Sequence, residues 1–465
     1  MWGKTLKSKF SNFKRRTVRK KTVKRKTARN NIVVNNAIAH STIRVSKTKS
    51  AIATALNQCR IKTLEILDNL DQKTFCTQVH DDFSPLGWHL GHIAYTESLW
   101  LLERSAGLAP SYPEYRQLFA ADGLPKFQRK NLPSPIEVRG YLDTVRDRVI
   151  DYLEVADIER QERLWYFVIQ HECQHYETIN FLLHIIASKH LYSIGSQLLH
   201  SSSPTPLVSK PIKIPAGEFL MGNSSLHAVD NEAPVHIVYL DTFYIDPYPV
   251  TCGEYRYFIE AGGYEQPQYW CNSGWKWLKI SGVKQPLFWQ DDPIWSDHPV
   301  YGVNWYEANA YCRFVGKRLP TEAEWEKAAS WNQEAKVQYI YPWGTELPTS
   351  EHCNHNGNIG ETTPVNHYHK GTSYYGLYDT LGNVWEWTST YFNGYENFQP
   401  YPYRGYSQVY FDHQHLVLKG GSWATSNYVL RCSTRNWYHP NIRQILAGFR
   451  CAMDGGKRVR LEEGG

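Results

Sequence analysis

Apolar residues recur at steps of three and four over most of the first 200 positions, the spacing that lines one face of an α-helix. One such run covers Ala51–Leu70. A second begins at Ser84-Pro85, an N-cap followed by proline at the first helical position, and stops near Gly107. A third opens with Ser134-Pro135-Ile136-Glu137, a capping box, and carries the stripe Val138, Tyr141, Val145, Val149, Tyr152. The fourth runs through Leu164, Val168, His171, His175, Ile179, Leu182 and Ile186. Four amphipathic helices of this length predict a four-helix bundle over 51–200. Ser201-Ser202-Ser203-Pro204-Thr205-Pro206 reads as a linker over 201–206. Beyond it strands are short, Gly, Trp, Asn and Pro are frequent, and helical spacing returns only near Asn304–Phe314 and Thr321–Ala329. The expected fold class is therefore multidomain, α then α+β, with the second domain over 207–455 and a short tail over 456–465.

The fourth stripe is unusual because two of its members are imidazoles. His171 and His175, in Gln170-His171-Glu172-Cys173-Gln174-His175-Tyr176-Glu177, lie one helical turn apart on the face that should enter the core. Burying both is costly unless each finds a partner. A metal ion suits two histidines at i and i+4, so a metal site is favoured over a pair of core histidines bonded to carbonyls or carboxylates. A site inside a bundle draws its remaining ligands from facing helices. The second helix offers His89 and His92, and its nearly all-round apolar character does not choose between them. Glu177 is a rival, but at i+2 from His175 it points off the stripe, where orienting an imidazole is the better role.

Charge changes the picture at the N-terminus. The net charge of +6 arises from residues 1–50, which hold 16 Lys or Arg and no acid; the rest has 35 basic against 45 acidic residues. The folded part is acidic, and residues 1–50 read as a basic, disordered tail without the hydrophobic segment of a secretory signal. Such an arm could touch nucleic acid or anionic lipid, or serve as an organelle presequence. No apolar run approaches a membrane span. The nine cysteines are scattered without a CxxC pair, which points to free thiols in a reducing compartment and a cytoplasmic location.

Ser84-Pro85-Leu86-Gly87-Trp88-His89-Leu90-Gly91-His92-Ile93, followed by the segment His171–Thr178, resembles the DinB-like domain of ergothioneine-type sulfoxide synthases, the hercynine oxygenases. The C-terminal part is similar to the formylglycine-generating-enzyme-like domain of the same family. The similarity runs through Ile214–Gly222, Pro299–Trp305, Arg318–Glu326, Gly376–Asp379, Gly382–Trp387, Gly420–Trp423, Arg435-Asn436-Trp437 and Gly448-Phe449-Arg450, and covers about 50–453. The pieces occur in many relatives; their combination in one chain is far more specific. The resemblance implies a DinB-like four-helix bundle joined to a C-type-lectin-like domain.

It also implies non-haem Fe(II) on His92, His171 and His175, and O2-driven joining of a small thiol, gamma-glutamylcysteine or cysteine, to the imidazole of N-alpha-trimethylhistidine (hercynine). Three neutral imidazoles leave Fe(II) open positions for thiolate, imidazole and O2 together. By the same resemblance, Tyr403 is the proton and electron donor and Tyr406 rests on the imidazole. Gln174 and Asn436, with Trp437 beside it, contact the betaine. Lys126, Arg129 and Tyr438 stand where the family anchors its thiol. Lys126 replaces an arginine and loses the bidentate fork, and Tyr438 replaces an aspartate and loses a charge, so cysteine or a selenium donor enters consideration. The expected partners are small molecules, with no membrane and with nucleic acid only through the basic tail. A structural Ca2+ near Asn383 and Glu386 is a further expectation, weighed equally against loop hydrogen bonding. Other readings are a Zn or Ni DinB-like thiol transferase and a non-catalytic lectin-like binding protein. Formylglycine generation is disfavoured because its two-cysteine copper site has Ala424 at the first position.

Overall fold

The computed structural model of the chain describes residues 44–193 and 210–456. Helix α1 spans 44–68, α2 is Gln72–Cys76, α3 is Leu86–Glu97, α4 is Arg116–Phe119, α5 is Pro135–Val155 and α6 is Ile158–Ser193. Helices α1, α3, α5 and α6 form the bundle. Its apolar interior is built from Ile52, Leu56, Leu142, Val145, Val149, Trp165 and Leu182. The capping box of α5 forms as expected: Ser134 accepts from the Glu137 backbone while Glu137 reaches back to the Ser134 backbone. Helix α3 does not end at its last α-turn but widens into a π-helical segment, Ser98–Ser105, before Gly107 turns with φ +70°.

Part of the basic tail expected over 1–50 is corrected: residues 44–50 are helical and continue α1. The acidic and carbonyl-rich corner where α5 meets α6 accounts for this. Lys49 Nζ donates to the Glu154 carbonyl at 2.6 Å, and Arg44 lies 3.6 Å from Glu162. The rest of the tail (1–43), the linker (201–206) and residues 457–465 lie outside the described residues.

One side chain from each bundle helix meets in a buried ionic square. Arg60 of α1 and Arg146 of α5 each bond both Glu97 of α3 and Glu172 of α6, at 2.6–2.9 Å. Thr63 adds a hydrogen bond to Glu172 at 2.9 Å. Burial works against the Glu172 carboxylate, but the two guanidiniums win and hold its pKa below the usual range. Because Glu172 adjoins His171, this square sets the rotation of α6 about its axis.

The C-terminal domain begins with β1 (Ile212–Ile214), β2 (Gly217–Met221), β3 (His236–Leu240) and β4 (Phe243–Ile245). Helices α7 (Cys252–Glu260), α8 (Asn272–Ser281), α9 (Trp305–Phe314) and α10 (Glu322–Ser330) follow, and the short strands β5 (Trp331–Asn332) and β6 (Val337–Gln338) pair. Both expected helices are present, capped by Asn304 and Thr321. The last strands are β7 (Trp385–Tyr391), β8 (Leu416–Lys419), β9 (Arg435–Tyr438), β10 (Ala447–Gly448) and β11 (Ala452–Asp454). A four-stranded sheet runs β10-β7-β8-β9, and β1-β4-β11 form a second sheet. Edge strand β9 carries Asn436, Trp437 and Tyr438 toward the bundle, and the long connection from β7 to β8 carries Tyr403 and Tyr406.

Helix α6 joins the two domains. Glu177 Oε1 accepts from Trp385 Nε1 at 2.8 Å, from Ser422 Oγ at 2.6 Å, and from Thr425 Oγ1. Arg431 Nη2 donates to Gln170 at 2.8 Å, and Gln170 donates to the His227 carbonyl. The imidazole-orienting role expected of Glu177 is therefore corrected: its off-stripe position turns it to the second domain.

Candidate metal centre

His92, His171 and His175 converge, with one ring nitrogen from each lying within 4.8 Å of the others. The ring centroids are 4.5–5.0 Å apart. Helix α3 supplies His92 because Gly87 and Gly91 let it lie against two aromatic rings. A Cβ on Gly91 would stand 2.1 Å from Phe119, and one on Gly87 would stand 2.2 Å from Phe75. The same Phe119 accepts a hydrogen bond from His92 Nδ1 at its carbonyl, 2.6 Å away. A carbonyl only accepts, so the proton sits on Nδ1 and Nε2 carries the lone pair, with only a long 3.5 Å contact from Thr96 Oγ1. Trp88 stacks on His92 at 4.6 Å and 13°, and the Arg129 guanidinium covers Trp88 at 4.0 Å.

Burial pushes the His92 pKa down to about 4 and those of His171 and His175 well below the usual value, with neighbouring imidazoles adding to the latter two. All three are neutral at pH 7 and offer lone pairs. His171 has no hydrogen bond to any described residue, although it is buried in the stripe of α6. Three convergent neutral imidazoles, one without a hydrogen-bond partner among the described residues, fit a divalent transition metal. Among the described residues this is the one cluster with that character. His89, the other candidate on α3, stands behind His175, with the two Nδ1 atoms 2.9 Å apart.

The cluster opens into a cavity of about 630 Å³ where the two domains meet. Every residue expected at the site on sequence grounds lines it: Lys126, Arg129, Gln174, Tyr403, Tyr406, Asn436, Trp437 and Tyr438. Gln174 Nε2 donates to the Tyr406 hydroxyl at 2.8 Å. Burial drives the Tyr406 phenol far up its scale. Tyr403 stacks on Trp100 at 5.4 Å, and burial with the nearby Tyr410 pushes its pKa up to about 12. Asn436 Oδ1 accepts from the Trp437 backbone at 2.9 Å, and Trp437 stacks on Phe392 at 4.2 Å. Lys126 Nζ donates to the Asp82 carbonyl.

Arg129, which stands where the family anchors its thiol, is held by its own loop. Its three guanidinium nitrogens donate to the Leu124 carbonyl, Ser84 Oγ and the Ala121 carbonyl. The Ca2+ expectation finds no support at the two side chains that carried it. Asn383 Oδ1 accepts from the Thr363 backbone, its amide donates to the Thr363 carbonyl and Asp379, and Glu386 is paired with Arg450 and Trp325. Those oxygens are spent on protein donors. Asp230 and Asn231 were not visible as site residues. They hold the tyrosine loop through the Tyr401 backbone and the Ser407 hydroxyl. Nothing in their local sequence marks that role, because the contacts span about 170 residues.

Comparison with known proteins now bears on this arrangement. Residues 55–179 match the DinB superfamily, and residues 197–455 match the Sulfatase-modifying factor enzyme 1-like domain. Hercynine oxygenase of Mycolicibacterium smegmatis is 36% identical over 432 residues, covering 87% of this chain and 99% of that protein. The chain belongs to the hercynine oxygenase family. The Mycobacterium tuberculosis hercynine oxygenase is 37% identical over 428 residues, again 87% of this chain and 98% of its own length. Formylglycine-generating enzyme of Mus musculus is 33% identical over 307 residues, covering 55% of this chain and 78% of that protein. Family membership makes the chain an oxidoreductase, and both domains of the family are present in it. No helix among the described residues is long and apolar enough to cross a membrane.

Proposed function

We propose that the chain is an Fe(II)- and O2-dependent sulfoxide synthase that joins a small thiol to the imidazole of N-alpha-trimethylhistidine, in ergothioneine biosynthesis. The observation that carries this reading is the three-histidine cluster at the floor of an interdomain cavity, in a chain that spans its mycobacterial relatives almost end to end. His92, His171 and His175 would hold Fe(II), which supplies O2 binding and the oxidising power needed to substitute an imidazole carbon that has no leaving group. In the overall balance, the substrate C–H and the thiol S–H give up their hydrogens; one oxygen atom of O2 enters the sulfoxide and the other leaves as water.

The chain's own residues position and protonate. Gln174 and Asn436 present amides to the betaine end of the substrate. Tyr406, fixed by Gln174 and backed by Trp437, forms a flat wall for the imidazole. Tyr403 carries its proton at neutral pH as any phenol does, and its raised pKa makes that proton harder to lose, so it is held at the hydroxyl oxygen until chemistry calls for it. The two domains wall the cavity from opposite sides.

For the thiol, cysteine is preferred to gamma-glutamylcysteine. Arg129 is held in place by bonds from Nε and both Nη atoms to two loop carbonyls and Ser84, which use three of its five N–H donors, and Arg435 donates to Glu322 and the Asn231 carbonyl. Lys126 keeps donors to spare after its one carbonyl bond. With Arg129 anchored to its own loop, Lys126 is the freer cation of the pair, and one free cation suits one carboxylate.

The test is anaerobic reconstitution with Fe(II), then 18O2 uptake with mass analysis of products, with cysteine and gamma-glutamylcysteine in separate reactions. The expected result is a coupled product carrying one 18O, formed faster from cysteine. Protein that holds iron yet gives no coupled product with either thiol would overturn the substrate assignment. His171→Ala should abolish iron uptake; iron retained at wild-type level would overturn the ligand set.

A further inference from the structure

We propose that His89 is a positioning residue for the metal centre: it accepts the Nδ1 proton of His175 and thereby fixes Nε2 of His175 as the ligand atom. This rests on the three-histidine site of the proposed function.

His89 Nδ1 approaches His175 Nδ1 to 2.9 Å. Two nitrogens at this distance share one proton, so one ring donates and the other accepts. If His89 donated, the neutral His175 would carry its own proton on Nε2. Its one lone pair would then face His89 and not the cluster. If His175 donates, Nε2 keeps its lone pair for the site formed with His92 and His171. Only the second arrangement leaves three ligand atoms. It requires His89 to be protonated on Nε2, a buried atom without a full hydrogen-bond partner. The Ser84 backbone lies on the side that weakly favours a proton on this imidazole.

The placement follows from the helix. His89 and His92 are three residues apart and so share one face of α3. As that face crosses α6, His92 comes 5.0 and 4.8 Å from His171 and His175, and His89 comes 5.1 Å from His175. His89 is buried, so the contact is not a surface accident. Two of the three ligands thus have an orienting acceptor, of different kinds. Phe119 offers His92 a carbonyl, which cannot donate. His89 offers His175 an imidazole, whose tautomer must match.

Outer acceptors of this kind typically contribute 10–100-fold to metal affinity. The test uses two probes besides activity. First, wild-type protein loaded with Zn(II) and labelled with 15N-histidine should show His175 protonated on Nδ1 and His89 on Nε2. A proton on His175 Nε2, or on His89 Nδ1, would overturn the proposal, and this measurement carries no folding risk. Second, anaerobic Fe(II) titration should show affinity falling roughly 10–100-fold in His89→Phe, which keeps the bulk and removes the acceptor. His89→Asn, whose amide oxygen can stand near the Nδ1 position, should recover most of that loss. Equal affinity in wild type and a folded His89→Phe would also overturn the proposal. A wild-type chain that binds iron but couples no substrates would sink the proposed function and leave this inference standing. A wild-type chain that binds no metal would sink both.

Discussion

A backbone carbonyl and an imidazole decide which histidine nitrogens are available. The Phe119 carbonyl holds the proton of His92 on Nδ1, and His171 has no hydrogen-bond partner among the described residues. Around this centre, Tyr403 differs from Tyr406 in a way that separates their roles. Tyr406 is buried and tied to Gln174. Tyr403 is 37% exposed as a residue, although its phenol lies among the cavity groups, and it leans on Trp100. Tyr403→Phe should therefore keep iron and fold but lose the proton source. Coupled product should fall at least about tenfold, in line with the loss of a general acid, while thiol oxidation continues to consume O2. Product partitioning measured against O2 uptake checks this, and an unchanged ratio would remove Tyr403 from the mechanism.

At the scale of the helices, the two glycines of α3 are spacers. Alanine is ordinarily better than glycine in a helix by about 1 kcal/mol. At Gly91 the added methyl would stand 2.1 Å from a buried Phe119 ring, and overpacking typically costs about 1–3 kcal/mol, so the clash should win. Gly91→Ala should lower the unfolding midpoint and, by moving Phe119, weaken metal binding as well. Denaturant melts and Fe(II) titration on one preparation would read both; a stabilised variant with intact affinity would refute the account. The ionic square gives a second expectation for these elements. Arg146→Met would leave Glu97 and Glu172 short of a partner in the core, and breaking such an arrangement costs about 3–5 kcal/mol. Urea unfolding should show that loss, and a change below about 1 kcal/mol would mean that the square is not a determinant of the bundle.

For the molecule as a whole, the buried imidazoles couple folding to pH. His89 and His92 have folded-state pKa values lowered to about 3 and about 4, chiefly by burial, against about 6.5 when unfolded. The unfolded chain thus binds protons below pH 6.5 that the folded chain refuses. Stability is fully present above pH 6.5 and is lost as pH falls toward the folded values. For one such histidine the loss by pH 5 is on the order of 2 kcal/mol. Metal-free protein should melt at least about 5 °C lower at pH 5 than at pH 7. A flat melting temperature over that range would contradict neutral, buried imidazoles.

Much of this was legible in the chain because it is local. The spacing Leu164 to Ile186 places His171 and His175 on one helix face whatever the helix packs against. Ser134-Pro135-Ile136-Glu137 starts α5 through contacts within four residues. The acid-free N-terminal segment and the scattered cysteines are matters of composition, and all nine cysteines are free thiols in the fold. What a helix face meets is not local. The choice between His89 and His92 depends on where α3 crosses α6. The commitment of Arg129 depends on loop carbonyls of Ala121 and Leu124, and that of Glu177 on Trp385, Ser422 and Thr425 more than 200 residues away. Periodicity along one helix determines which residues share a side. Only the packing of helix on helix, and of domain on domain, determines which hydrogen-bond partner each of them finds there.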